Sequence, residues 1–297
     1  MATIAEWIEG ARPRTLPLSI SPVIAGSAIA LVGGAFMPWR ALLALVVGVA
    51  MQLGVNLSND YSDGVRGTDA HRVGPQRLVG SGAATPRAVK LAAFSCFGVG
   101  CAAGLALVIM SDLWWIIAVG AAIVIAAWFY TGGKHPYGYM GLGEVSVLIF
   151  FGLVAAAGTV VVQTGFGPAF HWPAVLMLCL AQGFGACAVL VVNNLRDIPS
   201  DTKAGKLTLS VRLGDGRSRV LFIALTVASL AASIATTLLT NPWLWLCLAM
   251  VPFLVMADAP VLKGVTGFGL IPSIKLVGFG QLAGAIGMFA GALIAIL

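Results

Sequence analysis

Nine apolar stretches, each near 20 residues long, run through this chain from end to end: roughly 15–33, 41–60, 88–110, 113–131, 142–163, 173–195, 219–240, 242–258 and 276–297. A helix needs about 20 apolar residues to cross a hydrocarbon core about 30 Å thick. The expected fold is therefore all-α and integral to a membrane, with nine transmembrane helices. The eighth stretch is the weakest, being short and holding Pro252. What lies between the stretches is too little for a soluble domain, so residues 1–297 read as one polytopic domain. Composition agrees: 59% of residues are hydrophobic and 9% charged, where a soluble domain carries about 25% charged residues. The first stretch could pass for a signal peptide cut after Ala28-Ile-Ala30. Eight further spans make such cleavage unnecessary.

Charge supplies the orientation. With nine alternating spans, the amino terminus and the loops after spans 2, 4, 6 and 8 share a side. Of the 17 Lys and Arg residues, all but Arg40 fall there. Basic loops stay cytoplasmic, so the amino terminus is expected inside and the carboxyl terminus outside. Trp39, Trp114, Trp115, Trp172, Trp243 and Trp245 lie near the opposite ends, as an interfacial belt would. The net charge of +6 is thereby accounted for without a nucleic-acid partner. Cys96, Cys101, Cys179, Cys187 and Cys247 sit inside apolar spans with no Cys-x-x-Cys spacing, and read as small core residues. Gly280-x-x-x-Gly284 and Gly287-x-x-x-Gly291 read as places of close helix packing.

Against this background two acidic clusters stand out: Asn56-Leu-Ser-Asn-Asp60-Tyr-Ser-Asp63 and Asn193-Asn-Leu-Arg-Asp197-Ile-Pro-Ser-Asp201. Each opens with Asn-x-x-x-Asp and each closes an apolar span on the basic side. The i, i+4 spacing stacks Asn56 over Asp60 and Asn193 over Asp197 on one helix face. Asp63 continues the first face, after which Gly64 is expected to loosen the helix. Pro199 disfavours regular helix beyond the second cluster. Charged side chains near a bilayer core are costly and tend to mark function. Four converging carboxylates would repel one another without a cation between them. Mg²⁺ is the natural one, because it takes one or two carboxylates and completes its shell with phosphate oxygens and water. Caps on helix ends, or pairs with loop arginines, would explain one such cluster more easily than two matching ones. Arg66, Arg72, Arg77, Lys134, Lys203 and Lys206 lie in the loops leaving these faces. They are candidate clamps on an anionic leaving group. A divalent-cation or phosphate transporter is the rival reading, but no Asp or Glu falls at the middle of a span, where a transport site belongs.

Several stretches carry a family likeness: Ala11-Arg-Pro-Arg-Thr-Leu-Pro17, Asn59-Asp-Tyr-Ser-Asp63-Gly-Val-Arg-Gly-Thr-Asp69, Tyr130-Thr-Gly-Gly-Lys134, Gly141-Leu-Gly-Glu144, and Asn193-Asn-Leu-Arg-Asp197 through Gly205-Lys206-Leu-Thr-Leu. Over nearly its whole length the chain resembles the UbiA superfamily of intramembrane prenyltransferases. Within it, the chain looks like the branch that prenylates 1,4-dihydroxy-2-naphthoate in menaquinone synthesis. The resemblance implies a bacterial cytoplasmic-membrane enzyme with a cavity facing the cytoplasm. Its substrates would be a polyprenyl diphosphate and 1,4-dihydroxy-2-naphthoate. It implies that Asp60, Asp63, Asp197 and Asp201 hold Mg²⁺ on the diphosphate, with Asn56 and Asn193 in support. Much of the superfamily has a further Asp where this chain has Gly67; Asp69, two residues on, is the alternative donor. An allylic cation formed on ionisation must be shielded from water. Trp128, Tyr130, Tyr137, Phe150 and Phe151 are candidate aromatic faces for it. The same scaffold could instead take 4-hydroxybenzoate or homogentisate.

Overall fold

The computed structural model describes residues 2–67 and 77–297; Asp69 and Arg72 lie outside the described residues. Among the described residues ten longer helices follow one another: α1 (Ile4–Ala11), α2 (Pro17–Val32), α3 (Pro38–Arg66), α4 (Pro86–Ser111), α5 (Ile116–Phe129), α6 (Gly143–Thr164), α7 (Trp172–Lys203), α8 (Leu209–Leu238), α9 (Pro242–Leu262) and α10 (Gly267–Ile296). Helices α3, α4 and α6 to α10 are long and apolar enough to cross a membrane. Ile4–Thr15 and Pro17–Val32 form a pair bent by 47° that passes the same test together, giving seven spans or eight among the described residues. The stretch expected over 113–131 is represented by the 14-residue α5. At 1.5 Å per residue α5 covers roughly 21 Å, short of a hydrocarbon core. The chain is thus an all-α multi-pass membrane protein, and the bend and the short helix separate the observed count from nine.

The core is built around α7, the most buried of the seven long helices. Val189, Val191, Val192 and Leu195 of α7 pack with Phe222, Leu254, Ile274 and Val277. A second cluster joins Ala25, Ala28, Leu178, Cys247 and Met288. Small residues let the backbones close up. A Cβ on Gly287 would fall 2.0 Å from the Leu246 carbonyl oxygen, and one on Gly291 would fall 2.1 Å from that of Trp243. Leu91, Ile109, Ile125 and Val255 face outward and are each more than half exposed. So continuous an apolar exterior suits lipid, not water. Cys179, Cys187 and Cys247 are buried as expected, whereas Cys101 is exposed on that outer surface.

Two helix ends differ from the sequence expectation. α3 runs past Gly64 to Arg66 and ends at Gly67, whose φ of 74° is the left-handed cap that glycine adopts without strain. α7 continues through Pro199 to Lys203. There Ser200 Oγ donates to the Asp197 carbonyl at 2.9 Å and Thr202 Oγ1 to that of Ile198 at 2.8 Å, so side chains serve carbonyls near the proline. α6 contains a π-helical segment, Leu148–Ala157, a feature that tends to accompany functional sites.

Candidate active site

The last turns of α3 gather four other segments of the chain. Asn56 Nδ2 donates to the Ala11 carbonyl at 2.9 Å and to Thr15 Oγ1 at 3.1 Å, tying down the amino-terminal segment. One turn on, Thr131 Oγ1 donates to Asn59 Oδ1 at 2.7 Å. Asp60, completely buried, accepts from the backbone N–H groups of Leu78 (2.8 Å) and Val79 (2.9 Å). Asp63 accepts from Lys206 Nζ at 3.2 Å and from the Tyr139 hydroxyl, and Arg77 Nη2 stands 3.7 Å from it. Arg66 donates to the carbonyls of Thr131 and Gly133. A single helix face is thus stapled to the chain near residues 11–15, 77–79, 131–139 and 206.

The second cluster is held by its own arginine. Arg196 Nε meets Asp197 Oδ1 at 2.7 Å and its Nη2 meets Oδ2 at 2.6 Å, both side chains being almost fully buried. The same Nη2 donates to Asn193 Oδ1 at 2.9 Å. Beyond the helix, Lys206 N bonds the Asp201 carbonyl at 2.9 Å and Leu207 N bonds that of Tyr139 at 3.0 Å. These bonds fold the 204–207 turn back so that Lys206, five residues after Asp201, reaches Asp63 across the molecule. The two acidic clusters meet through that lysine.

Of the expected site residues, the structure brings Asn56, Asp60, Asp63, Arg66, Arg77 and Lys206 onto one helix end. Asn193 and Asp197 lie in the last turns of α7. Lys134 and Lys203 are exposed, and no contact joins either of them to these carboxylates among the described hydrogen bonds and ion pairs. Tyr130 and Tyr137 meet edge to face, their centroids 5.4 Å apart. The Tyr137 hydroxyl donates to the Ala126 carbonyl at 2.9 Å and lies 3.3 Å from Ser146 Oγ. Burial raises the Tyr137 phenol above its ordinary value, with the Ser146 contact opposing this. Trp128 is stacked on Tyr61 with Lys90 lying over both rings, and Phe151 packs against the core around α7.

Sequence reasoning passed over two residues at the centre. Tyr139 donates to Asp63 and offers its ring to Lys206 at 4.6 Å and to Arg66 at 5.5 Å. Arg196, given no role of its own there, is the partner of Asp197. Its place inside the Asn-Asn-Leu-Arg-Asp motif was the available signal; Tyr139 had none beyond lying two residues after Tyr137. Glu144 also belongs nearby, since Asn194 Nδ2 donates to its Oε1 at 3.2 Å.

The donors available to a metal are hard oxygens, which suits Mg²⁺ and not a soft ion. Among the described residues no three His, Cys, Asp or Glu side chains stand close enough to form an all-protein cage. Mg²⁺ seldom needs one when phosphate oxygens and water complete its shell. Asp63 and Asp197 meet that requirement, each being countered here by a basic side chain that a metal could replace. Asp60 meets it less well, with both oxygens committed to backbone N–H groups.

Comparison with known proteins shows which family the chain resembles. The model of the UbiA prenyltransferase family matches residues 19–266. The chain is 48% identical over 293 residues to the 1,4-dihydroxy-2-naphthoate octaprenyltransferase of Mycobacterium tuberculosis (strain ATCC 25618 / H37Rv), covering 99% of this chain and 98% of that one. It is 38% identical to the enzyme of the same description from Escherichia coli (strain K12), covering 91% and 89% of the two chains. Among solved structures, the apo UbiA homolog from Aeropyrum pernix K1 superimposes with a TM-score of 0.72 at 18% identity, over 94% of this chain and 98% of that one. The UbiA homolog from Archaeoglobus fulgidus bound to DMAPP and Mg²⁺ gives 0.66 at 13% identity, over 96% and 99%. At such identities the two structures speak for the fold alone.

Proposed function

The chain belongs to the UbiA prenyltransferase family, and from that membership we propose that it transfers a polyprenyl group from polyprenyl diphosphate to 1,4-dihydroxy-2-naphthoate. Carbon dioxide and diphosphate are released and demethylmenaquinol is formed, a step of menaquinone synthesis. The acceptor is supported by the likeness to the mycobacterial naphthoate enzyme along almost the full length of both chains. One observation in the structure carries the site: Lys206, from the turn after the second Asp cluster, is bonded to Asp63 of the first.

The allylic C–O bond breaks, its electron pair leaving with the diphosphate. A new C–C bond forms at the ring carbon bearing the carboxylate. The electrons of the C–CO₂ bond then restore the aromatic ring, so decarboxylation takes the place of proton loss and no base is needed to balance the step. Bound Mg²⁺ supplies charge neutralisation of the departing diphosphate. Asp63, Asp197 and Asp201 are the carboxylates proposed to hold it, with Asp69 as a further donor and Asn193 orienting Arg196. Arg77 and Lys206 now sit against Asp63 and are proposed to turn to the diphosphate oxygens as the metal takes over the carboxylate. Arg66 fixes the 131–133 turn, while Lys134 and Lys203 are assigned to the outer rim of the anion site and Arg72 is kept as a candidate diphosphate contact. Tyr130 and Tyr137 form the aromatic wall facing the reacting carbon.

Lys206→Ala is expected to raise KM for the prenyl diphosphate by about tenfold or more, as the loss of one charge-assisted contact implies. Lys134→Ala, at the exposed rim, should change it by less. Equal effects from the two would remove the distinction between inner and outer cations. The reaction itself is tested by mass spectrometry of the lipid formed when purified protein receives a prenyl diphosphate with dihydroxynaphthoate, 4-hydroxybenzoate or homogentisate in turn. A product from 4-hydroxybenzoate or homogentisate alone would overturn the acceptor.

The residues 1–297 form one domain in this reading. Nine crossings are reached by adding the bent amino-terminal pair and α5 to the seven long helices, with the turn around Trp114 and Trp115 lengthening α5's passage. The amino terminus and the site cavity then face the cytoplasm and the carboxyl terminus lies outside, because all the Lys and Arg residues but Arg40 fall on the inner side. Single cysteines near residues 68 and 204, in a chain stripped of its native cysteines, should resist an impermeant thiol reagent on intact cells. They should react in inverted vesicles. Labelling of either from outside would defeat both the orientation and the shared site.

A further inference from the structure

We propose that Asp60 acts as the clamp that seats the Arg77–Val79 segment over the site, and that it is not a metal ligand. The proposal rests on the reading above for the ligand's identity, but its structural basis is independent. Asp60 is completely buried, and its two oxygens are taken by consecutive backbone N–H groups, Leu78 to Oδ2 and Val79 to Oδ1. Those amides sit in a turn closed by its own bonds: Ser81 N to the Arg77 carbonyl at 3.1 Å, Gly82 N to that of Val79 at 3.0 Å, and Ala84 N to that of Leu78 at 3.0 Å. Thr85 then caps α4.

The turn is pressed onto α3 by shape as well. Leu78, 1% exposed, packs with Leu57, Val89 and Ala93. One turn after Asp60, a Cβ on Gly64 would fall 2.5 Å from the Val79 Cβ, so only glycine admits the segment this close. Drawing Asp60 toward a metal would strand two N–H groups in a buried place, a cost that folded proteins avoid. Holding it in place fixes Arg77, the residue just before this pair, with its guanidinium 3.7 Å from Asp63. Asp60 therefore reaches the substrate only through the arginine it positions.

An aspartate suits this task where asparagine does not. Two donors demand two acceptor oxygens, and Asp60→Asn would turn one acceptor into a donor facing an N–H. Hydrogen exchange of the peptide spanning residues 77–84 is the first measurement, made on the full-length protein in detergent. In the wild type, the Leu78 and Val79 amides should exchange slowly and remain slow when Mg²⁺ and a non-ionisable prenyl thiodiphosphate are added. Faster exchange on their addition would mean that Asp60 leaves the amides for the metal, and would overturn the proposal. In Asp60→Asn those amides should exchange at least about tenfold faster. KM for the prenyl diphosphate should rise through the misplaced Arg77, while the half-saturating Mg²⁺ concentration stays at the wild-type value. A raised Mg²⁺ requirement with unchanged exchange would identify a ligand instead. If the variant does not fold, the wild-type exchange decides the matter alone. Failure to make any prenylated product, with the exchange pattern intact, would remove the functional reading and leave the clamp.

Discussion

Asp63→Asn is expected to lower kcat by about 10²–10³-fold, the loss typical of one preorganised electrostatic group. The residue lies where three lines of contact converge: Lys206, Arg77 and the Tyr139 hydroxyl all point at its carboxylate. Removing the charge would leave two basic side chains, Arg77 buried and Lys206 partly buried, competing for a neutral amide. Asp63→Ala goes further, since taking one partner from a buried ion pair costs about 3–5 kcal/mol of stability. The asparagine variant keeps the shape and is the cleaner test. Turnover of prenyl diphosphate and dihydroxynaphthoate, followed by product mass, measures the rate; thermal unfolding in the same detergent shows whether the fold persists. A folded Asp63→Asn protein working near the wild-type rate would place the reacting diphosphate elsewhere.

Chelation should have an effect of comparable size. Treatment with EDTA is expected to abolish turnover and Mg²⁺ to restore it. Ca²⁺ should restore less, because it prefers more ligands at longer distances than a site of few carboxylates and phosphate oxygens provides. Stability should hardly follow activity. Asp197 is already closed by Arg196, and Asp63 by Lys206 and Arg77, so among the described residues these two carboxylates are already neutralised without metal. A Tm that fell sharply with EDTA would show that the metal is part of the scaffold. Full turnover in EDTA would exclude the metal from the reaction.

The prediction about Asp63 was open to sequence reasoning, while the one about stability was not. Asn-x-x-x-Asp repeated at two apolar span ends marks Asp60 and Asp197 as functional from spacing alone, with Asp63 continuing the first face. Nothing in that spacing distinguishes Asp60 from Asp63, three residues apart on the same helix. Their roles diverge because the turn at 77–84 packs on one of them with its backbone, whereas Lys206, Arg77 and Tyr139 reach the other with side chains. Tyr139 and Arg196 escaped notice for a related reason. A tyrosine in a Gly-rich loop and an arginine beside an aspartate are both common, and only the folded chain shows which carboxylate each one touches.

Hydropathy by itself determined that the chain crosses a membrane as helices, because an unpaired backbone is intolerable in hydrocarbon and long apolar runs leave no other solution. It located each stretch to within a few residues for most spans. It did not determine how the first bends at Leu16, how short α5 is, or that α3 and α7 extend beyond their apolar runs to carry the site. A helix end is set by caps and neighbours as well as by hydropathy, as Gly67 and the Ser200 and Thr202 hydroxyls show. The pairing of the two acidic clusters likewise belongs to tertiary structure. Spacing along a helix is local and legible, but the contact of Lys206 with Asp63 spans 143 residues, and it exists only because the turn after α7 folds back on Asp201 and Tyr139.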